Sequence, residues 1–82
     1  MRQPPIVNVF PNPSTSNFHL QVITADRDAI NVWVLDAQGR LVKEFKGSSY
    51  QTINFGTKLK AGSYLIEVRQ GKVVKTERVV KF

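Results

Sequence analysis

The 82-residue chain has no cysteine, a single histidine, a single tryptophan, and six acidic residues against twelve basic ones. Without cysteine there is no disulfide framework, thiolate zinc site or thiol nucleophile, and the redox compartment is left unread. No apolar run approaches the roughly 18 residues that span a bilayer, so no membrane span is expected. The start MRQPPIVNV carries no signal-peptide hydrophobic segment. One histidine without cysteine makes no transition-metal site, and Asp26-Arg27-Asp28 lacks the further oxygen ligands and the glycine of a calcium loop. The five glycines stand singly at Gly39, Gly47, Gly56, Gly62 and Gly71. They are turn glycines and form no phosphate-cradling loop.

Catalytic groups are equally sparse. His19 sits on the polar face of an alternating strand, where solvation is its ordinary state. A triad of Ser14, His19 and Asp36 lacks any G-x-S-x-G elbow around a serine. No cofactor and no enzymatic activity are expected.

What the chain does have is hydrophobic content of 41% with 10% aromatics, enough to fold as one domain and too much for disorder. At this length a single core leaves only about 3 to 5 kcal/mol of margin. Met1-Arg2-Gln3-Pro4-Pro5 reads as a linker remnant over residues 1–5, leading at once into a domain over residues 6–82, as in a fragment of something longer. Charge is uneven: residues 1–39 hold two arginines against three aspartates, whereas residues 40–82 hold ten basic residues against three glutamates. A basic half suits an anionic partner or simply solvent. Basic residues interleaved with Trp33, Tyr50 and Tyr64 bear a superficial likeness to single-strand binders. Tyr64 and Phe18 fall on apolar faces, however, so a core role is expected for them and no nucleic acid for the chain.

Apolar and polar residues alternate, with turn signals every eight to twelve positions. Strand one runs over Ile6 to Phe10 and must leave its ladder at VFPNPST, because Pro11 and Pro13 lack amide donors and Asn12 is held extended or in a turn. Phe18, Leu20 and Val22 form one face of strand two; Ile30, Val32 and Val34 form one face of strand three, with Trp33 opposite. Trp33 therefore either covers a sheet face or marks a contact surface. Asp36-Ala37-Gln38-Gly39 turns the chain into a fourth strand from Leu41 to Phe45, with Gly39 at positive φ. A fifth strand covers 50–55, Leu59 plugs one end of the core, and Tyr64, Ile66 and Val68 mark a sixth. Gln70-Gly71 leads tightly into a last strand over 72–82. The last strand changes phase, which predicts a bulge near Thr76 or an edge position. Seven short strands without a helix predict an all-β, seven-stranded antiparallel immunoglobulin-like β-sandwich.

The order of these pieces carries a resemblance. Val9-Phe10-Pro11-Asn12-Pro13-Ser14, then Val32-Trp33-Val34-Leu35-Asp36-Ala37-Gln38-Gly39-Arg40-Leu41-Val42, then Leu59-Lys60-Ala61-Gly62-Ser63-Tyr64 and a basic, apolar terminal strand resemble the C-terminal sorting domain of type IX secretion system cargo proteins. This is the Por secretion system tail of Bacteroidetes. The resemblance implies a folded secretion signal attached to a larger N-terminal cargo and recognised by an outer-membrane translocon. It also implies removal by a sortase-like cysteine protease, with delivery through the periplasm and outer membrane to the cell surface or medium. By the same resemblance Pro11, Asn12, Pro13, Asp36, Gly39, Leu59, Gly62, Tyr64 and Gly71 define the fold. Lys75, Arg78, Val79, Val80 and Lys81 match the strand where translocon recognition is expected. Thr76-Glu77-Arg78 departs from the more usual lysine-rich approach. The alternative is a non-catalytic adhesive or carbohydrate-binding module using Trp33.

Overall fold

The computed structural model describes residues 5–25 and 27–82; residues 1–4 of the expected linker and Asp26 of the polar turn lie outside the described residues. Seven strands follow one another: β1 (Ile6–Phe10), β2 (Phe18–Ile23), β3 (Ile30–Leu35), β4 (Leu41–Gly47), β5 (Thr52–Phe55), β6 (Gly62–Gln70) and β7 (Val73–Lys81). They form two antiparallel sheets, ordered β1-β2-β5 and β4-β3-β6-β7. None of the described residues forms a helix.

The strict two-residue period of β2 and β3 places Phe18, Leu20, Val22, Ile30, Val32 and Val34 in a core completed by Phe55, Tyr64, Ile66, Val68 and Val79. The sheets meet through these faces: Phe55, stacked on its β2 neighbour Phe18 at 5.4 Å between ring centroids, is tilted against Phe45 of the other sheet at 5.7 Å. Val7, Val9, Ile53 and Leu59 pack around this cluster. Leu59 thus closes one end of the core, as its isolation in a polar connection implies. Tyr64 and Phe18 are core, and Gly39 turns the chain at φ +82°.

One expectation needs correction. Tyr50 does not open the fifth strand: it turns at φ +66° while its amide donates to the Val22 carbonyl, and pairing begins only at Thr52. The alternation around Tyr50 resembles a strand, but the Ser48–Gln51 turn ties the segment locally. Of the two readings of the β7 phase change, a bulge or an edge position, the edge position holds. Its register with β6 runs unbroken from Gly62–Lys81 to Gln70–Val73, and β7 is an edge strand. Burial reaches only its last residues, Val79 and Lys81, so the earlier positions carry charge at no core cost. The irregularity of register lies between Val34 and Leu35, opposite β4.

Candidate functional site

The PNPST segment is where the two ends of the described chain meet. After β1 the chain bends through Pro11 and Pro13, both in cis peptide bonds, and runs beside the outer edge of β7. Asn12 bridges two positions of that strand: its Nδ2 donates to the Arg78 carbonyl at 2.9 Å and its Oδ1 accepts the Val80 amide at 3.0 Å. Ser14 continues the contact in parallel register, its amide donating to the Val80 carbonyl at 3.0 Å and its carbonyl accepting the Phe82 amide at 2.9 Å. The buried Ser14 hydroxyl donates to the Asn17 carbonyl. An asparagine between prolines suits this position, because neither proline needs a partner for a backbone N–H while the amide side chain supplies a donor and an acceptor.

The residues expected to be recognised divide by the pleat of β7. Val79 is wholly buried and Lys81 is 4% exposed. Lys81 turns Nζ inward to donate to the carbonyls of Ser16 and Gly56, joining the PNPST segment, the β5–β6 connection and β7 in one knot. Gly56 must be glycine there: φ is +101° and a Cβ would stand 2.8 Å from the Phe18 ring. Arg78 is exposed, Val80 and Lys75 are half-buried, and Phe82 is 69% exposed. Further back along the same edge Val74 and Thr76 have no backbone partner beyond β6 among the described residues.

The positions expected to define the fold fall in three places: Pro11, Asn12 and Pro13 in the PNPST segment, a group around the β3–β4 turn and the entry to β6, and Gly71 apart from both. Asp36, Leu59, Gly62 and Tyr64 line one cleft with Arg40 and Lys60. Asp36 Oδ1 accepts the amides of Gln38 and Arg40, and Oδ2 accepts Arg40 Nε, each at 2.9 Å. These bonds to the charged form, the Arg40 amide foremost, hold its carboxyl below the ordinary value against a smaller opposing effect of desolvation. Tyr64 Oη donates to the Lys60 carbonyl at 2.7 Å and fixes the entry to β6. Gly71 lies at the other end of the molecule, in the β6–β7 hairpin, at φ +58°.

Trp33 is half-buried on the outer face of the four-stranded sheet. Its indole N–H donates to Glu44 Oε2 at 2.5 Å, and the Arg69 guanidinium covers one ring face at 4.3 Å while Glu67 holds Arg69. His19 contacts Asn54 Oδ1 through Nδ1 and lies beside the Phe10 ring. Ser14, His19 and Asp36 are therefore engaged separately and are not brought together. Among the described residues no group of three or more His, Cys, Asp or Glu is placed to hold a metal ion.

Sequence reasoning missed the Asn12–Ser14 contact with β7, which spans some 66 residues of chain and leaves no local pattern. It also missed the cationic lining of the cleft and the inward turn of Lys81.

Comparison with curated proteins finds no match. A family model described as a secretion system C-terminal sorting domain matches residues 8–81, from within β1 to the end of β7. Domains of this family are C-terminal signals of type IX secretion cargo, which is exported across the outer membrane to the cell surface or extracellular space. The match takes in both the proline-bracketed opening and the strand it grips, and the chain belongs to the family of secretion system C-terminal sorting domains.

Proposed function

We propose that the translocon reads one composite surface, made by the outer edge of β7 at Arg78, Val80 and Phe82 together with the Pro11-Asn12-Pro13 segment that holds it. The observation that carries this reading is the pair of Asn12 bonds to Arg78 and Val80. The opening motif and the terminal strand are thereby one surface instead of opposite ends. Lys75, Val79 and Lys81 lie on the opposite face of β7: Lys75 stands beyond the cover of the other sheet, whereas Val79 and Lys81 serve the surface from beneath, one by packing and one by tying loops. The signal acts by recognition without catalysis. Residues 1–5 are its linker, residues 6–82 the signal, a larger cargo precedes it, and a sortase-like cysteine protease removes it at the surface.

The fold reading that goes with this is an immunoglobulin-like sandwich. Strand order β1-β2-β5 against β4-β3-β6-β7 corresponds to that plan with the fourth strand moved to the second sheet. The Tyr64 hydroxyl bonded back to the Lys60 carbonyl at the start of β6 has the form of a tyrosine corner. A carbohydrate platform at Trp33 has less support, since Arg69 already occupies one face of the ring.

The test is to place residues 1–82 behind a periplasmic reporter in a type IX-competent bacterium. The reporter is expected at the surface or in the medium. Arg78→Glu leaves the fold intact, because the side chain is exposed, and is expected to lower export severalfold. Export untouched both by Arg78→Glu and by deletion of residues 75–82 would sink the reading.

A further inference from the structure

The cleft between the β3–β4 turn and the β5–β6 connection has about 660 Å3 of space and is lined by Arg40, Lys43, Lys58 and Lys60. Asp36 is the one carboxylate among its lining residues, and both its oxygens are taken up by Arg40 and the turn amides. Lys43, Lys58 and Lys60 join no ion pair among the described residues. Three uncompensated ammonium groups around one concavity focus a positive field into it. The lining is not only charged: Val42, Leu59 and Tyr64 contribute apolar surface between the lysines.

We propose that this cleft binds an acidic, partly apolar peptide segment of a protein partner. That the partner is part of the export machinery rests on the sorting reading; the chemistry rests on the cleft alone. Leu59, half-buried and flanked in sequence by Lys58 and Lys60, gives a ligand side chain an apolar seat with cations on either side. A peptide with carboxylates beside a leucine or valine satisfies both. A polyanionic glycan leaves the apolar lining without a partner, and a flat anionic membrane reaches protruding lysines but does not enter a concave site. The cleft lies at the end of the molecule that also carries the Lys81 knot, since Gly56 and Gly62 bound it and pair or bond with Lys81. A translocon contact on the composite surface at the end of β7 and an acidic segment in the cleft are therefore neighbouring contacts of one approach. Complementary charge of this kind chiefly governs encounter and orientation, and it weakens with salt.

The experiment titrates the isotopically labelled 82-residue chain with a capped peptide of alternating glutamate and leucine, followed by amide chemical shifts. Shifts are expected at residues 36–43 and 56–64, with affinity falling about tenfold in the doubly charge-reversed Lys58→Glu, Lys60→Glu protein. A leucine-free glutamate peptide, a heparin fragment and phosphatidylglycerol vesicles are expected to bind more weakly than the mixed peptide. Absence of shifts in these segments, or equal binding by the double variant, overturns the proposal. Tighter binding of heparin or vesicles overturns it also, in favour of a glycan or lipid ligand. Unchanged amide shifts outside the cleft show that the variant is folded. Failure of the wild-type fusion to be exported would count against the sorting reading and leave this titration unaffected.

Discussion

The two ends of the molecule are closed in different ways. At one end Ser49 donates its hydroxyl to the Thr24 carbonyl and accepts the Thr24 amide, Thr24 Oγ1 donates to Gln70, and Gln70 Nε2 donates to the Asp28 carbonyl. All these groups are neutral, and Gln70 belongs to β6, which is paired on both sides. At the other end the closing group is the amine of Lys81, on an edge strand, with Asn12 and Ser14 holding that strand from outside. The first end depends on the middle of a sheet. The second depends on the last residues of the edge strand, so damage to β7 loosens the PNPST segment and the β5–β6 connection together.

The comparison is tested most severely by removing each closing side chain. Lys81→Met keeps the aliphatic stem but leaves the Ser16 and Gly56 carbonyls without their donor. Relief from burying a charge offsets part of that loss. The expected cost is about 2 kcal/mol, read from denaturant midpoints. Gln70→Ala is expected to cost a similar amount, about 2 kcal/mol, by removing the acceptor of the Thr24 hydroxyl and the donor to the Asp28 carbonyl. The two differ in where protection is lost. Hydrogen exchange is expected to rise around residues 12–17 and 56–60 for Lys81→Met, but around residues 24–28 and 49 for Gln70→Ala. Exchange rising over the same residues in both variants would show that the ends are not independently closed.

A smaller effect is expected at Asn12, whose two bonds are exposed to competing water. Asn12→Ala is expected to lower stability by about 1 kcal/mol, or roughly 4 to 8 °C in Tm for a domain of this size. Asn12→Asp sharpens the point, because it keeps the acceptor for the Val80 amide but removes the donor to the Arg78 carbonyl. Its loss should fall between wild type and alanine; a loss equal to alanine's would assign the contribution to the donor alone.

The core was legible where period and burial agree. Phe18, Leu20 and Val22, and Ile30, Val32 and Val34, alternate without exception and are buried without exception. The β7 strand was harder, since its inward phase includes Val73 and Glu77, which the opposite sheet does not cover, as well as Val79 and Lys81, which it does. A lysine in phase with a valine reads as an edge residue, and only the two carbonyls facing it explain its burial. The resemblance places recognition on the terminal strand, but it did not separate Arg78, turned outward, from Lys81, turned in. The cleft was illegible for a further reason: Arg40 and Lys43 meet Lys58 and Lys60 across a connection whose path no local pattern fixes.

The mildest test concerns the turn that forms one wall of that cleft. Asp36 is held below its ordinary value of 3.8, chiefly by the Arg40 amide and then by the Arg40 side chain and the Gln38 amide. A carboxylate depressed in the folded state adds stability that is fully present above the unfolded value, and this is lost as pH falls through the lower folded value. The contribution of Asp36 is thus intact at neutral pH and fades only below about pH 4. A carboxyl-detected NMR titration is expected to place the Asp36 midpoint below 3.8. Arg40→Ala is expected to raise that midpoint only in part, because the alanine variant retains the backbone amide that dominates the shift. A midpoint restored fully to the ordinary value by Arg40→Ala would mean that the guanidinium, and not the turn backbone, holds the charge. The wall of the cleft would then depend on a side chain that is itself 77% exposed.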